Sequence, residues 1–384
     1  MIPLSVPNIG GNAAAYVRSC LDSGWVSSAG AFVERFEREF ATYTGARHAV
    51  ACVNGTAALQ LALRLAGVRP GEIVLVPTLT FIATVNAVHH VGADPHFLDS
   101  DESYCLDPDA VLAYLADHTE RRDDGTVVRA SGRRIAAVMP VHVFGNAARL
   151  EPLLAPLHEA GIALVEDAAE SLGTVYTDGA LAGSHTGTTG TLGCFSFNGN
   201  KIITTGGGGM VVTDDDELAR RARYLSTQAK DDAVRYVHHE VGHNFRLTNL
   251  QAALGVAQLE QLPEFLETKR ANYLHYREAL RHVEGLRIAD GPAYARNNHW
   301  LYALQIDAER YGRDRERVMT DLATAGIETR PVWELNHRQR PYQQCSHGRV
   351  DCARSLHERT LNLPCSTNLT SHQVDVVCER LRRA

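Results

Sequence analysis

Lysine is nearly missing from this chain. Of its 38 basic residues only three are lysines, so positive charge has been assigned almost everywhere to arginine. Guanidinium stays protonated and non-nucleophilic, whereas a primary amine can lose its proton when desolvated and attack a carbonyl carbon. Lys201 therefore has two readings: a solvated residue near a turn, or an amine kept for its nucleophilicity. Other absences narrow the class. No apolar run reaches the roughly 18 residues that a membrane span requires, and the opening MIPLSVPNIGGN lacks the layout of a secretion signal. A cytoplasmic protein with no membrane partner is expected. The eight cysteines form no CxxC and no zinc-ligand spacing, which favours free thiols and no metal site. A net charge of -7 gives no basic footprint, which argues against nucleic acid and for a small-molecule substrate.

What is present is a chain of 384 residues with 45% hydrophobic content, enough for one large core and a smaller one. Val- and Ile-rich runs at 73–77, 135–144, 162–167, 193–197 and 210–214 read as buried strands. The stretches 56–67, 80–92 and 147–161 repeat apolar residues at three and four and end at glycine, as helices do. Their alternation implies a mainly parallel sheet covered on both faces, in an α/β domain over residues 1–260. The charged, turn-rich segment 121–134 reads as an exposed loop or hairpin. A helical pattern over 248–262 meets Pro263 and resumes over 264–283, the expected bridge to a second domain, 261–384. That domain is expected to hold a strand near 300–306 and helices near 314–325, 349–360 and 371–382.

Lys201 stands in FSFNGNKIITTGGGGMVV, residues 195–212. Upstream, Asn54-Gly55-Thr56-Ala57 opens a helical pattern. Its N–H groups and the Thr56 hydroxyl form either a phosphate cradle or an ordinary N-cap. The run IALVED ends at Asp167, outside the carboxyl end of a strand, where open α/β sheets bind ligands. A buried acid there needs a partner: a protonated ring nitrogen, an arginine or a helix N-terminus. Glu170 either reaches the same ligand or is a first-turn helix acid. Ser196 precedes Lys201 by five residues, and glycines 206–209 allow close backbone approach or a tight turn. No Gly-Lys-Ser/Thr follows at Walker spacing, so ATP is not implied. A phosphate cradle, an acid for a pyridine nitrogen, an aromatic and an imine-forming lysine together describe a pyridoxal phosphate site.

These residues resemble the DegT/StrS family of sugar aminotransferases, within the fold-type-I pyridoxal phosphate enzymes. The motifs are 54-NGTAAL-59, 77-PTLTFIATVNAV-88, 140-PVHVFGN-146, 165-VEDAAESLG-173, 193-GCFSFNGNKIITTGGGGMVV-212, 242-GHNFRLTNLQAALG-255 and 361-LNLPCSTNL-369, spread over nearly the whole chain. The resemblance implies that Lys201 binds the cofactor as a Schiff base, that Asp167 pairs with its pyridine nitrogen and that Phe81 stacks on its ring. It places Gly55, Thr56, Ala57 and Ser196 around the phosphate, and Glu170 where some relatives carry His or Gln near the cofactor hydroxyl. Asn244 matches a residue that reaches the phosphate from a neighbouring subunit, implying a homodimer with shared sites. The implied fold is a large domain with a mixed, mostly parallel seven-stranded sheet and a smaller C-terminal α/β domain, against which the N-terminal segment is expected to pack.

The branch it resembles, through GNKIITTGGGGMV and 226-STQAKDD-232, aminates C4 of nucleotide-linked 4-keto-6-deoxyhexoses. The expected acceptor is UDP-linked and N-acetylated, with L-glutamate as donor. Alternatives are a GDP-perosamine-type sugar, a keto-cyclitol, or a non-catalytic binder with the same fold. His142, Arg246, Trp333 and His337 are the candidate sugar contacts.

Overall fold

A computed structural model describes residues 1–123, 125–232 and 234–382. Its largest sheet has seven strands in the order His48–Cys52, Gly209–Thr213, Leu192–Ser196, Ala163–Asp167, Ile135–Val138, Ile73–Pro77, Asp94–Leu98. Only Gly209–Thr213 runs against the others, pairing antiparallel on both sides. The mixed, mostly parallel sheet expected from the sequence is therefore present. Alternate side chains of its central strands enter opposite cores: Ile73 and Leu75 one, Val74 and Val76 the other. Burial on both faces explains why these strands read as unbroken apolar runs.

Two strands of this sheet carried little signal. HAVAC at 48–52 and DPHFL at 94–98 are short of β-branched residues, and tertiary pairing rather than propensity recruits them. The apolar run 135–144 is strand only over Ile135–Val138. It then turns through Val143–Gly145, where Phe144 takes a left-handed φ of 59°. The segment around 121–134 is largely an antiparallel hairpin, Thr119–Arg122 with Gly125–Val128; residue 124 lies outside the described residues.

The helical pattern that meets Pro263 and resumes beyond it is unbroken there. One helix runs over Asn249–Leu280, 32 residues, closed at its start by a reciprocal capping box between Thr248 and Gln251. An interior proline costs about 3 kcal/mol. Offsetting burial lies on either side of it at Leu259, Leu262 and Phe265. The N-terminal half packs on helices Ala13–Ser23 and Ala31–Thr44, and the C-terminal half on strand Leu286–Ile288 and helix Ser371–Arg382. Residue 260 thus falls inside a continuous rod. A four-stranded antiparallel sheet, in the order Leu286–Ile288, Tyr302–Ile306, Thr360–Leu363, Arg330–Pro331, lies beyond it with its own core around Tyr276, Tyr302 and Leu361. Residue Ile2 bridges Ile327 at its edge, so the N-terminus packs against this smaller sheet. Among the described residues no helix is long and apolar enough to cross a membrane.

Candidate active site

Five parallel strands and His48–Cys52 point their carboxyl ends to one edge of the large sheet, where a cavity of about 290 Å³ opens. The reversed strand begins there instead, and so brings Gly207 and Gly208 to the same place. Strand direction alone therefore gathers side chains from distant parts of the sequence. Of the residues singled out from the sequence, Gly55, Thr56, Phe81, Asp167, Glu170, Ser196, Lys201 and Trp333 line this cavity.

Asn54 caps helix Gly55–Leu65, its side chain accepting from the Ala57 N–H at 2.8 Å while its carbonyl accepts from Ala58 at 3.1 Å. The expected N-cap is thus present, and it does not use every N–H of the first turn. Capping satisfies Ala57 and Ala58 and leaves the N–H groups of Gly55 and Thr56 at the open end, where the helix dipole favours an anion. Ala57 itself is buried, spends its N–H on the Asn54 cap and lies outside the cavity lining. Ser196 faces Gly55 so closely that a Cβ on Gly55 would lie 2.8 Å from the Ser196 Cβ. The glycine run also divides its work. Gly206 turns the chain with φ of 79°, and Gly209 packs so tightly that a Cβ would meet the Asn54 carbonyl at 2.5 Å.

Asp167 is 3% exposed. Its Oδ2 accepts from the Thr84 hydroxyl at 2.7 Å and its Oδ1 from the Ala169 N–H at 3.1 Å. Burial raises its pKa despite these bonds and the nearby Lys201. Glu170 is held by the Phe144 N–H on Oε2 at 2.9 Å, which gives the left-handed Phe144 a purpose. Its Oε1 lies 3.6 Å from Lys201 Nζ. Burial pushes the Glu170 carboxyl up to about 7, even with Lys201 beside it. Lys201 Nζ also sits 4.0 Å from the centre of the Trp300 ring. Anion cradle, buried acid and amine in one cavity suit the phosphate, ring nitrogen and aldehyde of pyridoxal phosphate.

Glu170 gives a stability prediction. Its folded pKa stands above the ordinary 4.5, so the folded apoprotein holds this proton more tightly than the unfolded chain. That contribution is lost as pH rises from about 4.5 to about 7. Glu170→Gln, which keeps an acceptor for Phe144, is expected to stabilise the apoprotein at pH 8 by up to on the order of 3 kcal/mol. At pH 4 the gain disappears. Urea unfolding at both pH values reads the difference, and an equal effect at both contradicts it.

The remaining expected contacts fall elsewhere. His142 was expected to touch sugar; it is fully buried one layer behind Asp167, with Nε2 2.9 Å from Glu166 Oε2 and Nδ1 accepting from the Ala148 N–H. Both ring nitrogens are taken, so it orders the strand ends instead. Glu166, its partner, also accepts from the N–H groups of Gly187, Thr189 and Gly190. Burial would raise its pKa, but His142 and these N–H groups hold it low. His337 is outside the cavity lining and bonds the Thr78 hydroxyl at 2.7 Å. Burial, then His347 and Arg338, push it down to about 4, so it stays neutral near pH 7. Asn244 and Arg246 are exposed and outside the cavity of their own chain. Sequence reasoning missed Thr84, Asn198, Asn200 and Trp300, which line the site; only Trp300, one of three tryptophans, carried any signal.

The whole arrangement has relatives. The DegT/DnrJ/EryC1/StrS aminotransferase family model matches residues 7–382. GDP-perosamine synthase of Caulobacter vibrioides is 37% identical over 383 residues, covering 99% of this chain and 97% of that protein. EpsN of Bacillus subtilis, provisionally named a pyridoxal phosphate-dependent aminotransferase, is 37% identical over 385 residues, covering 99% of this chain and 95% of that protein. Among solved structures, DesI in the presence of its TDP-sugar product is 32% identical with a TM-score of 0.88, covering 100% of this chain and 92% of that one. The chain belongs to the DegT/DnrJ/EryC1/StrS aminotransferase family and is a pyridoxal phosphate-dependent sugar aminotransferase.

Proposed function

We propose that this enzyme moves an amino group from L-glutamate to C4 of a nucleotide-linked 4-keto-6-deoxyhexose. The observation that carries the reading is the placement of Lys201 Nζ in one cavity with Asp167, Glu170 and the Gly55 helix end. Bound there, pyridoxal phosphate supplies an electron sink for a carbanion. The chain's residues do the rest. Lys201 Nζ would hold the cofactor and, as a free amine, would carry a proton between two carbons. Asp167, oriented by Thr84, keeps a positive charge on the ring nitrogen. Glu170, poised near 7, can take a proton from the amine and return it. The helix N-terminus and Ser196 anchor the phosphate, and the indoles of Trp300 and Trp333 wall the cavity.

The C4 assignment and the donor rest on motif resemblance, and the perosamine synthase relative adds a GDP-linked sugar product by its name alone. That name also bears on the nucleotide. Where the sequence favoured a UDP-linked, N-acetylated sugar, 37% identity to a GDP-perosamine synthase over nearly the whole chain favours a GDP-linked acceptor as the first to test. The UDP-linked sugar is the second reading. Initial rates with GDP-, UDP- and dTDP-linked 4-keto-6-deoxyhexoses, followed by assignment of the aminated carbon by NMR, test it. A preference of at least about tenfold, roughly 1.4 kcal/mol in transition-state binding, is expected for one nucleotide with nitrogen at C4. Nitrogen at C3, or turnover of a keto-cyclitol alone, contradicts the proposal. The exposed Asn244 and Arg246 fit a site completed by a second copy of the chain, in the homodimer that the resemblance implies. The division at about residue 260 is likewise proposed, as a junction carried within the long helix.

A further inference from the structure

Two of the chain's three lysines converge on one residue, Trp300. Lys201 Nζ lies 4.0 Å from the centre of its ring. Lys269, on the long helix, donates from Nζ to the Trp300 carbonyl at 2.7 Å and to the Cys365 carbonyl at 2.5 Å. Lys269 is only 2% exposed, and burial lowers its pKa. Its acceptors are main-chain carbonyls rather than carboxylates. Burying an ammonium in this way is costly, and an apolar side chain of similar length would fill the space without that cost.

The other polar atoms of Trp300 are fixed as well. Its N–H donates to Asn298 Oδ1 at 2.8 Å, and its indole Nε1–H to the carbonyl of Asn200, the residue before Lys201, at 2.7 Å. Asn298 in turn donates to the carbonyl of Glu170 at 2.8 Å. The indole is thereby locked to Lys201 through ring face and adjacent main chain, and its own backbone is pinned by Lys269. Lys269 stands where the long helix, the approach to strand Tyr302–Ile306 and the segment after strand Thr360–Leu363 meet.

We propose that Lys269 is a positioning residue for Lys201 and acts through Trp300. Its ammonium fixes the Trp300 main chain, and the indole face then holds the Lys201 amine in the cavity beside Glu170. The inference rests on the reading of Lys201 as the residue that binds the cofactor. A cation held over an aromatic face is drawn to the negative face of the ring, and at 4.0 Å this attraction directs a flexible side chain.

The test measures how fast the apoprotein binds pyridoxal phosphate covalently. The Lys201 nitrogen forms a C=N bond with the aldehyde carbon and water leaves; borohydride then delivers hydride to that carbon, leaving a stable secondary amine on the Lys201 peptide, which mass spectrometry quantifies. Trp300→Leu and Lys269→Met are each expected to label Lys201 at least about tenfold more slowly, while Trp300→Phe, which keeps a ring face but loses the bond to Asn200, is expected to label faster than Trp300→Leu. The double variant Trp300→Leu/Lys269→Met should be no slower than Trp300→Leu alone within about twofold, because residues acting through one path are non-additive. If Lys269→Met does not fold, Lys269→Gln takes its place in the same cycle. Wild-type labelling rates in Trp300→Leu, or fully additive slowing in the double variant, overturn the proposal while label on wild-type Lys201 keeps the cofactor reading intact. Absence of label on Lys201 in the wild-type protein overturns both.

Discussion

Lys201→Ala is expected to lower turnover by at least ~10⁴-fold, because it removes both the nucleophile and the group that moves the proton. The fold should survive. Lys201 makes one ion pair, at 3.6 Å, and one ring contact, and its loop is closed by backbone bonds that the side chain does not make, Phe197 with Gly208 and Thr205 with Phe197. Phosphate and ring contacts also remain. The variant should therefore still bind pyridoxal phosphate noncovalently, retained on gel filtration yet released by dialysis and without borohydride-stable label. This outcome separates the enzyme from a binding protein of the same fold, which would keep its function when the lysine is lost. Turnover within about tenfold of wild type would remove Lys201 from the chemistry.

The second large effect is at Asp167. Asp167→Asn keeps the shape and an acceptor for the Thr84 hydroxyl but takes away the negative charge that faces the cavity. Preorganised charge in a site closed to water carries much of catalysis, and loss of such a group is expected to cost roughly 10³-fold in kcat. The apoprotein should not lose stability in parallel. Burial already raises the Asp167 pKa, so above its ordinary range the folded state carries an unfavourable carboxylate, and a neutral amide relieves it. The expected pattern is a large fall in kcat, a modest change in KM for the sugar and an unchanged or higher apoprotein Tm. A parallel fall in Tm would assign Asp167 to structure instead.

Much of this site was legible because parallel-sheet chemistry writes itself locally. Strand Ile73–Pro77 and helix Ser371–Arg382 stand where the sequence placed them, and four other strands shift by one or two residues. Asp167, Ser196 and Lys201 follow the ends or links of those strands, and inherit their legibility. What stayed hidden depends on long-range packing. Strands at 48–52 and 94–98 have unremarkable compositions and are recruited by their neighbours. Pro263 gives a strong local stop signal, which packing of the long helix overrides. His142, a candidate sugar contact, lies buried against Glu166 beside the turn at Phe144, a long-range pairing that its local sequence does not show. Trp300 lies just before a strand of the smaller sheet, about a hundred residues from the Asn200 and Lys201 that it meets, and no local pattern links it to Lys201.

The most direct test of the central claim is an absorbance spectrum of the purified protein supplied with pyridoxal phosphate, alongside Lys201→Ala. Wild type should show the visible band of a lysine-bound cofactor, lose it on addition of L-glutamate and regain it with a nucleotide-linked 4-keto-6-deoxyhexose, while Lys201→Ala shows no such band. A wild-type protein that develops no lysine-bound band, or one that Lys201→Ala reproduces, contradicts the account.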